Sequence, residues 1–410
     1  MLVPLGILFL GTGVLVLKHS LDPNLAYLPW IAGLSGFALL LQFFLYRERE
    51  SVDVWVFPLV FYFSCIGLIM VARLRAELFI PQLRWVIIGI LLFFLVMKND
   101  KKLIQLLNYP YLTGLCCLIW LCSPFFFGTE IGGSRNWIIF GPLQMQPSEF
   151  GKIFIVFFLA SYLSEHKNVL TLPSRQFLFL HLPPLRFIAP LLCIWGIAIL
   201  MFVLQRDLGS ALLFFGIAVF MTYMATGSKS YVFLALSFFA VGAGISYFLF
   251  GHVRVRFDIW LHPWADPNGQ AYQIVQSLFA FGTGGIWGTG FAHGHPLFIP
   301  EVHTDFIFSA IAEEFGFIGA IVIILGYCLF FYRGIRIALA NRLEPCVLLA
   351  AGCSTLFFLQ AFIIIAGVTK FLPMTGITLP FVSYGGSSMV SSYILAGVLA
   401  ALSKKENGSE

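Results

Sequence analysis

Nothing in this 410-residue chain restricts its fold as tightly as a series of apolar runs, each long enough to cross a hydrocarbon core. A transmembrane helix needs about 20 predominantly apolar residues. Twelve such runs can be marked, at approximately residues 3–18, 26–46, 54–72, 81–97, 109–127, 150–164, 186–204, 208–226, 230–250, 306–332, 346–368 and 378–402. They are continuously apolar rather than alternating, and a spanning backbone must satisfy its own hydrogen bonds, so helices are expected and a β-barrel is not. Composition agrees: 60% of residues are hydrophobic and 10% charged, whereas about a quarter of a soluble domain is charged. The expectation is an all-α polytopic membrane protein of about twelve transmembrane helices. The first run lacks a small-residue cleavage site and is followed by further spans, so it reads as a retained helix rather than a signal peptide.

Orientation follows from Lys and Arg in the connections. With the N-terminus inside, fourteen of them fall in the even-numbered connections and the C-terminal tail, against nine on the opposite side. That bias places both termini in the cytoplasm and the large connection 251–305 outside. The net charge of +5 is thereby explained by membrane insertion and calls for no nucleic-acid partner. All eight cysteines lie within or at the edge of apolar runs, without the paired spacing of a zinc site, and read as buried thiols.

Three connections stand out, all on the outer face. Residues 128–149, "GTEIGGSRNWIIFGPLQMQPSE", run into a span that begins with Glu149 and carries Lys152 one turn further on. Residues 251–305 are longer than an ordinary helix connection and too aromatic and apolar for disorder. Residues 369–388, "TKFLPMTGITLPFVSYGGSS", interrupt an apolar region with Pro373, Pro380 and the Gly385–Gly386 pair, which suits a re-entrant or broken segment lining a cavity. Together they form the pattern of an outward-facing site assembled from several loops.

Within the long connection, "FGTGGIWGTGF" imitates a nucleotide fingerprint, yet no strand precedes it and ATP is absent outside the cell. Five of the eight histidines stand at 252, 262, 293, 295 and 303, without an HExxH helix or a matching Cys pair. Loop histidines that hydrogen-bond are therefore the expectation; no cofactor is assigned, and a divalent cation held jointly with a phosphorylated substrate stays open. Asp305, Glu313 and Glu314 sit beside or inside an apolar run. On a continuous helix the two glutamates would lie about 12 to 13.5 Å beyond Asp305, at about 1.5 Å per residue. An ionised residue in a membrane is costly unless paired or wet, so these charges either serve function or pair to hold helices together. Glu149 and Lys152, an i,i+3 pair, pose the same alternative.

The blocks "GGSRNWIIFGPLQMQPSEFGK", "QRDLGSALLFF", "WLHPWADPNGQAYQIVQSLFAFGTGGIWGTGF", "IPEVHTDFIFSAIAEEFGFIG" and "GITLPFVSYGGSS" recur in the order found in the SEDS family of shape, elongation, division and sporulation proteins, which includes FtsW, RodA and SpoVE. The chain resembles that family over roughly residues 54–402. The resemblance implies a peptidoglycan glycosyltransferase of the bacterial plasma membrane that polymerises lipid II and works with a class B penicillin-binding protein. It implies a ten-helix core within residues 51–403, preceded by two additional helices in 1–50 and followed by a short cytoplasmic tail, 404–410. Its essential acidic residue, in the HTDF motif His303, Thr304, Asp305 and Phe306, is Asp305, the expected catalytic residue. The QPSExxK motif carries over as Gln146, Pro147, Ser148, Glu149 and Lys152, polar lining of a central cavity. Gln276, Ser383, Tyr384, Gly385 and Gly386 stand in the remaining blocks as candidate substrate contacts.

Such chemistry suits one carboxylate. The 4-hydroxyl of an acceptor GlcNAc attacks the anomeric carbon of a donor MurNAc whose leaving group, undecaprenyl pyrophosphate, is already a good one. A second, acidic carboxyl of the glycosidase kind is therefore less necessary. A base near the hydroxyl is needed, together with cations or donors for the pyrophosphate. Asp305 fits the base; Lys152, Arg135, Arg254 and Arg256 are the candidate cations. The chain departs from the family pattern in three places. Asn136 rather than Arg precedes Trp137, Arg206 replaces the proline of PDLG, and Ile364 stands where an Asn is usual. Two other functions remain: a lipid II flippase or transporter, against which the lack of an obvious inverted repeat counts, and a noncatalytic scaffold for a penicillin-binding protein.

Overall fold

A computed structural model describes residues 1–18, 28–47, 52–131, 134–141, 143–171, 175–177, 180–182 and 185–404. Residues 405–410 of the expected tail, residues 26 and 27 of the second run, and Gly132, Gly133 and Pro142 of the first motif lie outside them. The elements are α1 Leu2–Leu17, α2 Leu28–Arg47, α3 Val56–Leu74, α4 Phe79–Lys98, α5 Asp100–Leu106, α6 Pro110–Phe127, β1 Thr129–Ile131, β2 Ser134–Phe140, β3 Leu143–Met145, α7 Pro147–Thr171, β4 Arg175–Phe177, β5 Leu180–Leu182, α8 Leu185–Leu204, α9 Leu208–Thr226, α10 Lys229–Leu249, α11 Gly251–Leu261, α12 Tyr272–Gly284, α13 Ile307–Ala340, α14 Glu344–Val368 and α15 Gly386–Leu402. Among the described residues, nine helices are long and apolar enough to cross a membrane, and three shorter apolar ones coincide with the first, seventh and twelfth expected runs. The chain is a multi-pass membrane protein.

Two connections are more ordered than their composition suggests. The 128–149 stretch forms a three-stranded antiparallel sheet in the order β1-β2-β3, with Ile138 opposite Met145 and Phe140 opposite Leu143. Residues 251–305 are less a loop than two helices, α11 and α12, followed by turns. At the other end, the last span starts at Gly386 rather than near 378. Pro380 lacks a backbone donor, and the N–H of Leu379 is taken by the Ser383 hydroxyl at 2.9 Å.

The chain forms two compact units: residues 1–98, 259–333 and 360–410, and residues 99–258 and 334–359. In the first, α15 lies along α4, and small residues permit the approach. A Cβ on Gly89 would stand 2.3 Å from the Tyr393 ring, and one on Gly397 2.8 Å from the carbonyl oxygen of Phe93. Tyr393 is fully buried and shares a 2.7 Å hydrogen bond with Ser64 of α3. In the second unit α7 is the central helix, with Val156, Phe158, Leu159 and Leu163 fully buried. By contrast, α10 has no buried residue among its 21. Its Phe233, Phe238 and Phe248 are exposed, as suits a helix whose surroundings are hydrocarbon.

The α4–α15 contact predicts that Gly89→Ala overpacks the first unit, at a cost of about 1–3 kcal/mol. Gly36→Ala on α2, where nothing lies within 4 Å, serves as the control. Thermal unfolding in detergent is expected to show a lowered midpoint for the first variant alone.

Candidate active site

The HTDF stretch is a turn. Glu301 adopts φ 52°, and Thr304 folds back to donate its N–H (3.0 Å) and its hydroxyl (2.8 Å) to the Glu301 carbonyl. Buried Val302 and Phe306 anchor either side and leave Asp305 half-buried immediately before α13. Beside its carboxylate lies Gly376, at φ 72°, where a Cβ would be 3.5 Å from Asp305 Oδ2. Glycine supplies the left-handed backbone there, and any side chain larger than a methyl would crowd the carboxylate.

The 371–385 segment, non-helical as expected, fastens this turn. Ser383 Oγ donates to the Thr304 carbonyl at 2.5 Å, and the Tyr384 N–H donates to the His303 carbonyl at 2.9 Å. Farther along, Gln360 Nε2 donates to Thr378 O at 2.8 Å and the Tyr327 hydroxyl to Pro380 O at 2.5 Å. Gly67 of α3 lies so near that a Cβ would meet the Val382 carbonyl oxygen at 2.5 Å, and Gly386 lies against the Trp85 ring. Gly385 caps the start of α15. Gln276 is half-buried on α12, next to Ser277, which hydrogen-bonds Ser309 Oγ (2.7 Å) and Val368 O (2.8 Å).

His303 is buried, with its ring centroid 5.7 Å from that of Tyr384 and its Nε2 3.6 Å from Glu301 Oε2. Its Nδ1 has no hydrogen-bond partner among the described residues. Burial holds its pKa below the ordinary histidine value; Glu301 and Glu77 oppose the shift and Arg75 adds to it. Burial pushes the Tyr384 phenol up.

Glu313 and Glu314 do not continue one helix from Asp305. The helix α13 starts at Ile307 and is broken at Gly316 (φ 67°, ψ −167°). Across the break the 285–290 backbone pairs with 313–318: Thr289 N and Gly290 N donate to Glu313 O and Glu314 O, and Phe317 N donates to Gly285 O. A Cβ on Gly288 would lie 2.2 Å from Glu314 O, so the glycines that imitate a nucleotide fingerprint serve close backbone approach. The carboxylates complete this attachment. Glu313 Oε1 accepts from His295 N (2.7 Å), Glu314 Oε2 from Ala292 N (3.2 Å), and Glu314 Oε1 from Arg73 Nε (3.0 Å). Arg73 in turn lines a cavity of ≈ 360 Å³ with His293, His295, Leu297 and Phe298. Lys18 Nζ stands 2.7 Å from His293 Nε2; an ammonium only donates, so that nitrogen accepts and Nδ1–H donates to Phe291 O at 3.1 Å. Among the described residues no three His, Cys, Asp or Glu gather in a way that could hold a metal.

In the second unit the QPSExxK motif opens α7. Lys152 Nζ lies 2.6 Å from Glu149 Oε2, with both residues buried. Ser148 is buried beside them, and Gln146, just before the helix, donates to Asp207 Oδ2 at 3.2 Å. That oxygen also accepts from Asn136 Nδ2 (3.1 Å) and Ser210 Oγ (2.8 Å), while Oδ1 caps α9 by accepting from Ser210 N (3.0 Å). Arg135 is exposed on β2 and donates from Nε to Gly128 O at 3.1 Å. On α11, Arg254 is exposed with its guanidinium 5.5 Å from the Tyr247 ring centroid, and Arg256 is half-buried. The candidate residues thus divide: Asp305, His303, Thr304, Gln276 and 383–386 in the first unit, and Arg135, Gln146, Ser148, Glu149, Lys152, Arg254 and Arg256 in the second.

A family model described as "Cell cycle protein", named for FtsW, RodA and SpoVE, matches residues 50–408. The chain belongs to the FtsW/RodA/SpoVE family. It is 38% identical over 408 residues to the peptidoglycan glycosyltransferase RodA of Mycobacterium tuberculosis, covering 95% of this chain and 86% of that one. It is 34% identical over 373 residues to stage V sporulation protein E of Bacillus subtilis, covering 87% and 98% respectively. Among solved structures, a chain described under "Structural coordination of polymerization and crosslinking by a peptidoglycan synthase complex" is similar with a TM-score of 0.69 and 26% identity, covering 86% of this chain and 97% of that one. The rod shape determining protein RodA of Thermus thermophilus has the same fold, with a TM-score of 0.60, 24% identity, and coverage of 86% and 96%.

In this FtsW/RodA/SpoVE member, motif reading singled out Gln146 as a site residue but not Asp207, to which it donates, nor Asn136 and Ser210, which share that carboxylate. A signal was present, since an Asp directly before an apolar run with Ser three places on is an N-cap pattern. The burial of His303 yields a pH prediction. Unfolded, it titrates near about 6.5. With the folded value lower, the unfolded state takes up the proton first, so this residue costs stability as pH falls through that window and costs none above it. His303→Gln is expected to lose less thermal stability than the unaltered protein between about pH 7.5 and about pH 5.5; equal losses would contradict the assignment.

Proposed function

We infer that this family member polymerises lipid II into glycan strands at the outer face of the bacterial plasma membrane, with both termini cytoplasmic. The relatives named peptidoglycan glycosyltransferases support the activity. The observation that carries the mechanism is the half-buried Asp305 carboxylate, set on a turn whose preceding two carbonyls are both hydrogen-bonded and faced by a glycine. As base it takes the proton of the acceptor 4-hydroxyl while that oxygen bonds to the donor anomeric carbon and the C–O bond to the pyrophosphate breaks. A fixed turn matters because a reacting pair must be held near its attack geometry. Lys152, Arg135, Arg254 and Arg256 are the proposed cations for the leaving pyrophosphate, and a divalent cation, if used, would arrive on the substrate's own phosphates. The first two helices, ahead of the family match, are an N-terminal addition. The partner is a class B penicillin-binding protein, a reading supported by the similar chain from a peptidoglycan synthase complex.

The test incubates purified protein and its cognate penicillin-binding partner with lipid II and resolves the glycan products on gels. Asp305→Asn keeps the shape but removes the base, which is worth about 10²- to 10⁴-fold, so polymer is expected to disappear while membrane insertion persists. Omitting the partner is expected to lower the rate with little change in lipid II affinity. A variant polymerising at the normal rate would end the base assignment. Lipid II moving across vesicles without polymer would favour transport.

The Glu149–Lys152 pair calls for a double variant. Lys152→Met alone removes the cation of a buried ion pair, at about 3–5 kcal/mol. Combining it with Glu149→Gln is expected to restore thermal stability but not turnover at saturating lipid II. Recovery of both would make the pair structural only.

A further inference from the structure

Gln82 lies on α4, in a span, with no exposed surface. A buried amide must find partners, since hydrocarbon offers no water in their place. Both ends of this one are taken by a single stretch of chain: Nε2 donates to the Ser383 carbonyl at 3.2 Å, and Oε1 accepts from the Gly385 N–H at 3.3 Å. The amide therefore spans the two peptide groups that flank Tyr384, one as donor and one as acceptor. No apolar side chain can do this, and neither can a purely accepting carboxylate.

What is gripped there is the part of the segment that holds the HTDF turn. Ser383 Oγ reaches the Thr304 carbonyl at 2.5 Å, and Tyr384 N reaches the His303 carbonyl at 2.9 Å. Those are the carbonyls of the two residues directly before Asp305. A short relay of hydrogen bonds thus runs from the rigid helix α4, through residues 383–385, to the backbone that carries the carboxylate. We propose that Gln82 is a positioning residue for Asp305: it touches no reacting atom but fixes the orientation of the peptides on which the carboxylate depends. This rests on the reading of Asp305 as the base.

The full-length protein with its penicillin-binding partner and lipid II provides the assay, and amide hydrogen exchange without substrate provides a second readout. Gln82→Met keeps the bulk and removes both hydrogen bonds. Exchange at 383–386 and 303–305 is expected to rise, and kcat to fall about a hundredfold, the loss typical of a misplaced catalytic group, with KM within about twofold. Gln82→Glu is the conservative rescue. Protonated, its carboxyl offers one donor and one acceptor and can replace the amide; ionised, it offers acceptors alone. Its activity relative to the unaltered protein at each pH is therefore expected to fall as pH rises. Unchanged exchange in Gln82→Met, unchanged kcat despite faster exchange, or a pH-independent ratio for Gln82→Glu would each overturn the proposal. An active Asp305→Asn would instead overturn the base assignment itself, a separate result.

Discussion

A buried peptide group that leaves a helix must be met by another part of the protein, and the region around Asp305 is organised by that demand. The turn at 299–306 and the segment at 371–385 are both non-helical. Each supplies what the other lacks: a serine hydroxyl and a tyrosine N–H on one side, two carbonyls on the other. The fixed geometry of the turn that carries Asp305 is thus a by-product of satisfying backbone groups. The same holds at the break in α13, where the backbone of 285–290 replaces helical partners around Gly316.

Two aspartates show how differently one side chain is used. Asp207 is buried and accepts from Ser210 twice, from Asn136 and from Gln146. A carboxylate so engaged ties together the start of α9, the sheet and the approach to α7. Asp305 is half-buried and lies against a residue without a side chain. A glycine beside the carboxylate keeps other side chains away from it, which is what the approach of a substrate hydroxyl would need.

How much of this the sequence disclosed depended on how local the cause was. Continuous apolarity disclosed the spans, because a helix closes its hydrogen bonds within itself. Pro373, Pro380 and the paired glycines disclosed the broken segment before α15. The sheet at 129–145 escaped because its strands are short and their pairing lies in register rather than composition. The helices α11 and α12 escaped because Arg254, Arg256 and Asp258 in one, and Gly282 and Thr283 in the other, read as connection. The purpose of Glu313 and Glu314 was illegible because most of their partners are backbone N–H groups some twenty residues upstream, and any residue type supplies those. Asp305 itself was marked by the motif around it; Ser383 and Tyr384 were marked too, but as substrate contacts rather than as supports of the turn, and Gln360 was not marked, since it acts through a carbonyl.

The bare helix α10 sets a different kind of coupling. None of its residues is buried, although the Tyr231 hydroxyl meets Leu170 O at 2.8 Å near the first turn and the Phe239 ring lies 4.6 Å from that of Phe215 on α9. Its 21 residues span about 31 Å at about 1.5 Å each, close to the roughly 30 Å of a typical hydrocarbon core. Its depth and tilt are therefore open to bilayer thickness, through hydrophobic mismatch, as well as to its packing on α9. Because α11 follows after a single residue, Phe250, the height at which Arg254 and Arg256 meet the interface is set by the lipid as well as by the protein.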